Sequence, residues 1–141
     1  DSFLSHFFSP MSATLELKGE WEVGYYSKDA DKITVFVSSA NGFEIKPADD
    51  VFKKPDENVE ALKLVDVKVS FSDAQIKAKE QYAALFPSES IGDGFVVLQS
   101  FKGKILWNFS SISKTLKFLN VKIDAISGEL ASHQTISLVQ K

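Results

Sequence analysis

The chain of 141 residues contains no cysteine, and this absence excludes a whole group of structures and chemistries. Disulfides, thiolate nucleophiles, cysteine-ligated zinc and iron–sulfur clusters all require a thiol. Hydrophobic residues make up 44% of the chain, so it is long enough to bury a core without cross-links. We expect one compact domain or two small half-domains with a continuous core.

Arginine is missing as well, because all 16 basic residues are lysines and the formal net charge is −3. Lysine lacks the planar fork that binds a phosphate or a guanine through two parallel hydrogen bonds. The acidic balance also supplies no positive field for a phosphate backbone. We therefore predict that nucleic acid is not a partner.

Long apolar runs, glycine-rich phosphate loops and catalytic motifs are also absent. No apolar run approaches the roughly 20 residues of a membrane span, and no Gly-x-Ser-x-Gly elbow appears. Neither His6 nor His133 has a histidine or carboxylate three or four residues downstream, as a helical metal site would need. These absences predict solvated histidines, no metal, no cofactor and no enzyme activity.

The first residues, DSFLSHFFSPM, predict the last turns of a helix that Pro10 ends. The apolar residues fall at helical spacing: Phe3, Leu4, Phe7 and Phe8. We expect this segment to be the trimmed edge of a longer chain. Membrane contact would then occur only through an anchor upstream of Asp1.

A second helix is predicted over residues 71–87, FSDAQIKAKEQYAALFP. Ser72 stands where an N-cap residue should, Gln75 completes a capping box, and Pro87 ends the helix. Short segments rich in β-branched and aromatic residues predict strands elsewhere. They cover residues 13–17, 21–26, 32–38, 65–71, 94–100, 105–110, 117–123 and 135–139.

The two halves of the chain show weak similarity on either side of a charged, proline-containing segment. Shifted by 86 residues, four identities occur in nineteen positions, including Trp21 with Trp107 and Val35 with Val121. The order of elements favours a duplicated unit, although two hairpins with similar turns also match by chance. We predict one unit at 1–45, a linker at 46–64 and a second unit at 65–141.

The segment VKIDAISGEL, residues 121–130, predicts a strand that ends in a tight turn. Asp124 is suited to accept hydrogen bonds from amides two or three residues later, and Gly128 to adopt a positive φ. Together with the preceding helix ending in Leu-Phe-Pro and the pair of strands around GKILWNF, this segment resembles the PepSY domain. Ser127 replaces the threonine of the Asp-Ala-x-Thr-Gly-Glu signature.

The resemblance to PepSY covers residues 72–132 and, more weakly, the first unit, where VSSANGFEI keeps the glycine without the aspartate. It implies an α+β fold of tandem PepSY-like units, each a helix packed on an antiparallel β-sheet, with the first helix truncated. It also implies a secreted or envelope-attached protein with a binding or inhibitory role. It carries no catalytic residue to transfer.

Two aromatic residues are the candidate binding site. Tyr26 alternates out of phase with Trp21, and Phe36 alternates out of phase with Val35. If one sheet face is solvated, Tyr26 and Phe36 form an exposed patch of the kind that binds partners. If the sheet packs on both faces, both rings belong to the core.

These patterns favour a non-enzymatic binding or regulatory module outside the cytoplasm. It would bind a protein or peptide through a sheet face or an edge strand, and inhibition of a peptidase is one specific form of this role. Two alternatives remain open. The domain is a structural spacer or dimerisation ectodomain, or it carries a small apolar ligand.

Overall fold

One antiparallel sheet of eight strands carries the fold in the computed structural model, which describes residues 2–39, 42–50 and 59–139. A single helix, α1 (Phe71–Leu85), follows a short 3-10 turn (Leu64–Asp66) within the described residues. The strands are β1 (Ser2–Met11), β2 (Glu22–Ser27), β3 (Lys32–Ser39), β4 (Gly42–Asp50), β5 (Ile91–Phe101), β6 (Lys104–Ser113), β7 (Lys117–Asp124) and β8 (Leu130–Ser137).

The strand order is β4-β3-β2-β1-β5-β6-β7-β8, so two four-stranded meanders meet where β1 pairs with β5. The predicted fold of tandem units, each with a helix on its own sheet, is therefore wrong. The two halves share one sheet, and α1 lies against β6 and β7. The internal repeat and the unit boundaries stay predictions.

The predicted N-terminal helix is a strand, β1, in the middle of the sheet. Phe7 pairs with Leu98 of β5 and Phe8 with Val97, so the two neighbouring rings lie on opposite faces. A central strand that carries apolar residues on both faces loses the alternation of a half-buried strand. The doublets Phe3-Leu4 and Phe7-Phe8 therefore imitate helical spacing.

Helix α1 begins one residue after Ser70, which is its N-cap in place of the predicted Ser72. The Ser70 hydroxyl accepts a hydrogen bond from the backbone amide of Asp73 at 3.1 Å. The side of α1 that faces the sheet buries Ala74, Ala78 and Tyr82. Small residues let the helix approach the strands closely, and the helix ends at Leu85, before Pro87.

Several other predicted elements differ from the structure, because tertiary contacts override the local preference of the sequence. Residues 13–17 form a turn in which Leu15 has φ 62°, and residues 65–71 form the end of the 3-10 turn, an extended connection and the start of α1. Residues 46–50 of the predicted linker belong to β4, and residues 51–58 lie outside the described residues. β8 begins five residues earlier than predicted, at Leu130.

The turn after β7 confirms the predicted turn chemistry. Asp124 accepts hydrogen bonds from the amides of Ile126 at 2.8 Å and Ser127 at 3.0 Å, and Gly128 has φ +79°. These amide bonds lower the pKa of the Asp124 carboxyl. The neighbouring Ala125 is fully buried, and its carbonyl accepts the amides of residues 68 and 69. This turn thus fixes the chain that leads into α1 to the sheet.

The Tyr82 hydroxyl ties α1 to the sheet and provides a test of this packing. It lies 3.0 Å from Ser111 Oγ and donates toward the carbonyls of Phe109 and Leu119 at 3.4 and 3.3 Å. Burial raises the pKa of Tyr82 to about 12. We expect Tyr82→Phe to lower the free energy of unfolding by about 1–2 kcal/mol, because buried acceptors lose their donor.

Chemical denaturation measures this loss, and a double-mutant cycle with Ser111→Ala supplies the control. The two substitutions should be less costly together than the sum of the single losses, because each removes the same hydrogen bond. Strict additivity, or no loss in Tyr82→Phe, would contradict the assignment.

Candidate binding face

One apolar row crosses the whole sheet on the face that α1 occupies. Residues directly opposite each other on neighbouring strands share a face, and the register joins one residue from every strand. From β4 to β8 the row reads Ile45, Phe36, Val23, Phe7, Leu98, Trp107, Ile123 and Leu130. Hence the apolar face continues without interruption from one half of the chain to the other.

The C-terminal half of this face is covered. Phe71, the first residue of α1, packs against Trp21, Trp107 and Phe109 with ring centroids 5.5 to 6.1 Å apart. The Trp107 indole nitrogen donates to the carbonyl of Val69 at 2.9 Å. This bond satisfies the buried N–H and holds the segment before α1 against the sheet.

Among the residues that the structure describes, none covers the N-terminal half of the same face. This open half forms a concave surface over β1 to β4, and the volume of this concavity is about 680 Å³. Ile45 is 65% exposed and Tyr25 is 40% exposed. Tyr25 packs edge-on against Phe36, with ring centroids 5.6 Å apart. The full lining is Ser2, Val23, Tyr25, Ser27, Thr34, Phe36 and Ile45.

A second hollow of about 420 Å³ lies next to the open half, toward α1. Phe7, Trp21 and Trp107 line it together with the segment that leads into the helix. Phe7 is also the row neighbour of Val23 in the open half. An apolar ligand bound on the open half would therefore find further apolar surface in the direction of the covered half.

The opposite face of the sheet, which α1 leaves free, has a different character. On this face, the residues next in sequence to the apolar row form a row of their own. This second row mixes charged, polar and apolar residues. It reads Glu44, Val37, Glu22, Phe8, Val97, Asn108, Lys122 and Ser132. This contrast makes the open half of the helix-side face the stronger candidate for an apolar partner.

The structure separates the two predicted binding residues. Phe36 lies on the open face, opposite Val23. Tyr26 lies on the other face, opposite Ile33, and is only 6% exposed. Its hydroxyl donates to Asp31 Oδ1 at 2.5 Å, and its ring packs on Phe3. The prediction that Tyr26 and Phe36 form one exposed patch is therefore wrong.

Tyr25 alternates in phase with Trp21, a pattern that predicts a core position, but the structure exposes it. It alternates in phase with Val23, and both lie on the helix-side face as the pattern predicts. No local signal distinguishes this face from a covered one, because the cover is a helix from another part of the chain that packs mainly on β6 and β7. The sequence indicates an uncovered face only through the imbalance between one complete predicted helix and eight predicted strands.

His6 is another residue whose environment differs from the prediction. It lies in mid-strand on the helix-free face, opposite Gly24 and Gln99, and it is half-buried rather than solvated. Its Nδ1 atom lies 2.8 Å from Ser5 Oγ. A Cβ on Gly24 would clash with the His6 ring, so a larger residue there would force this ring to move. His133 is exposed on β8, as predicted.

Titratable groups do not gather into a site in the described part of the chain. Within residues 2–39, 42–50 and 59–139, no three histidine, aspartate or glutamate side chains are placed to hold a metal ion together. The same residues contain no helix that is long and apolar enough to cross a membrane. The candidate site is therefore defined by its apolar surface.

Comparison with known proteins supports the fold. No protein-family model matches the chain, and no curated protein matches it. Its structure is similar to the crystal structure of a putative lipoprotein from Clostridium difficile 630, with a TM-score of 0.56 and 9% identity. The match covers 96% of this chain and 83% of the other. At this identity the likeness shows the fold alone, and the resemblance to PepSY stays a prediction.

The pKa of His6 gives a prediction for the pH dependence of stability. Burial holds this pKa below its usual value, and the nearby Glu22 carboxylate opposes that shift. The unfolded chain therefore binds a proton at higher pH than the folded chain. We expect the free energy of unfolding to fall as pH drops below about 6.5, the pKa of an unperturbed histidine.

Urea denaturation between pH 7.5 and 5 measures this effect. His6→Gln should flatten the dependence in this range, while the exposed His133→Gln should retain it. Carboxyl groups with lowered pKa, such as Glu60 and Asp124, lose their contribution at more acidic pH and do not interfere. Equal slopes in the wild type and His6→Gln would refute the role of His6.

Proposed function

We propose that this protein is a non-enzymatic binding module that recognises a protein or peptide segment through the open half of its helix-side sheet face. The observation that carries the proposal is the apolar row that crosses all eight strands, of which the described residues cover only half the length. The partner segment would present an apolar side to Tyr25, Phe36 and Ile45.

The molecule itself contains a precedent for this mode of binding. On the covered half, α1 presents Ala74 and Ala78 to the same sheet face and excludes water from it. A partner with small and apolar residues on one side would bury the open half in the same way. The exposed Tyr25 and the half-buried Phe36 together supply the large rigid contact area that dominates binding energy at interfaces.

An extracytoplasmic location is part of the proposal. It is supported by the similarity in fold to a putative lipoprotein, a class of protein attached to the cell envelope. The resemblance of residues 72–132 to PepSY domains, which occur mainly in secreted and envelope proteins, supports the same location. Membrane attachment would then come from a lipid or an anchor outside the folded domain.

Selection of peptides from a displayed random library on the immobilised protein tests the binding face. We expect the selected peptides to be rich in apolar residues, and the Tyr25→Ser/Phe36→Ser variant to bind them at least about ten-fold more weakly. A ten-fold loss corresponds to about 1.4 kcal/mol, which is modest for the removal of two aromatic contacts.

Ile126→Ser is the matched control, because Ile126 is an exposed apolar residue in the turn between β7 and β8. It should bind the peptides as the wild type does, and thermal unfolding should show that all variants are folded. Peptides that bind the double variant equally well, or a selection that yields none, would contradict the proposal.

The size of the open concave area favours a second candidate, a carrier of a small apolar ligand. About 680 Å³ lies within the range of small-molecule sites. Native mass spectrometry of the protein purified from its source should then detect a bound apolar molecule that the Tyr25→Ser/Phe36→Ser variant loses. If such spectra show no bound molecule, the carrier function is rejected and the peptide-binding function is retained.

A further inference from the structure

The two edge strands of the sheet differ in how they are protected against pairing with another chain. β4, with the sequence GFEIKPADD, contains four charged residues and a proline. β8, with the sequence LASHQTIS, contains no Lys, Asp, Glu, Pro or Gly. Charges and prolines are the usual means by which sheet edges avoid unwanted pairing. Along its whole length, β8 lacks both the charged residues Lys, Asp and Glu and proline.

The outer edge of β8 is unpaired in the part of the chain that the structure describes. β8 pairs with β7 on one side and is the last strand in the sheet order. An edge strand directs the N–H and C=O groups of alternate residues away from the sheet, where another strand is able to bind them. Pairing with β7 is regular from Ser132 to Ser137, and along this stretch no charged residue or proline blocks the outward groups.

A short apolar row on the helix-free face runs out to this edge. Ile112 of β6 pairs with Phe118 of β7, which in turn pairs with Ile136 of β8. Ile112 is 37% exposed and Ile136 is 46% exposed. Just beyond β8, Leu138 and Val139 are exposed as well. An added strand would cover the free side of Ile136.

We propose that the partner of this edge is a second copy of the same chain, bound by antiparallel pairing of β8 with β8. A two-fold axis normal to the sheet makes such an interface self-complementary and keeps the two helix-free faces on the same side. Because β8 contains no Lys, Asp or Glu, self-pairing places no like ammonium or carboxylate charges opposite each other. The apolar rows of the two copies then lie on one continuous face.

Sedimentation velocity over a concentration series tests this dimer. We expect the wild type to form a species of twice the 15.6 kDa chain mass, in a concentration-dependent way. Thr135→Lys adds a charge to each β8 and should shift the protein toward monomer by at least ten-fold in dissociation constant. Ser88→Lys, in an exposed loop, adds the same charge away from the edge and should leave the dimer unchanged.

Disulfide trapping locates the interface, and the natural absence of cysteine makes it free of background. Single cysteines are introduced in turn at Ser132, His133, Gln134, Thr135 and Ile136, with Ser88→Cys as the control. Only positions next to the two-fold axis bring two Cα atoms within the roughly 4.4–6.8 Å of a disulfide. We expect covalent dimer to concentrate at one or two neighbouring positions.

Several results would overturn the proposal. These are a monomeric wild type at every concentration, a dimer that Thr135→Lys leaves intact, or equal cross-linking at all positions including Ser88→Cys. Binding of an added peptide strand by a monomeric protein, lost in Thr135→Lys, would identify a different occupant for β8. None of these results depends on the Tyr25 and Phe36 face, which the peptide selection tests separately.

Discussion

The pairing of β1 with β5 is the interaction on which the rest of the structure depends. Its register runs from His6 with Gln99 to Met11 with Gly94, and it joins strands that lie far apart in the sequence. Such non-local pairing incurs a large loss of chain entropy before it is stabilised by contacts. Here it forms in the middle of the sheet, where both faces of β1 receive neighbours from both halves of the chain.

Once β1 and β5 pair, the apolar faces of the two meanders become one surface. Phe7 and Leu98 lie opposite each other across the junction and connect the row on either side. A single helix cannot cover a face that is eight strands wide, and α1 packs mainly on β6 and β7. Within the described residues, the exposed half-face is thus a direct consequence of joining two four-stranded meanders while supplying one helix.

The two free surfaces of the sheet suit different kinds of contact. The open half-face around Tyr25 and Phe36 is broad and apolar, so burial of surface would dominate binding there. The β8 edge is narrow and uncharged, so backbone hydrogen bonds would dominate. The two surfaces lie at opposite ends of the strand order, and a dimer through β8 would leave both open half-faces accessible.

Much of the local structure could be predicted from the sequence, because it depends on contacts between residues that are close along the chain. The capping pattern and Pro87 predict α1, and the hydrogen-bonding side chain of Asp124 together with Gly128 predicts the turn after β7. Strands β2, β3, β5, β6 and β7 were also located from their composition. The N-cap was misplaced by two residues because Ser70 and Ser72 are both suitable, and the packing of Phe71 favours the first.

The sequence by itself therefore determined which side-chain chemistries this protein lacks and where most of its helix, strands and turns lie. It has no thiol and no arginine, and its turns and one clear helix follow from their own residues. Only the tertiary structure decided that the N-terminal apolar segment is a central strand and that the eight described strands form one sheet. It also decided that Tyr25, rather than Tyr26, is exposed beside Phe36. Alternation assigns residues to two faces, but only the contacts of distant segments decide which face is covered.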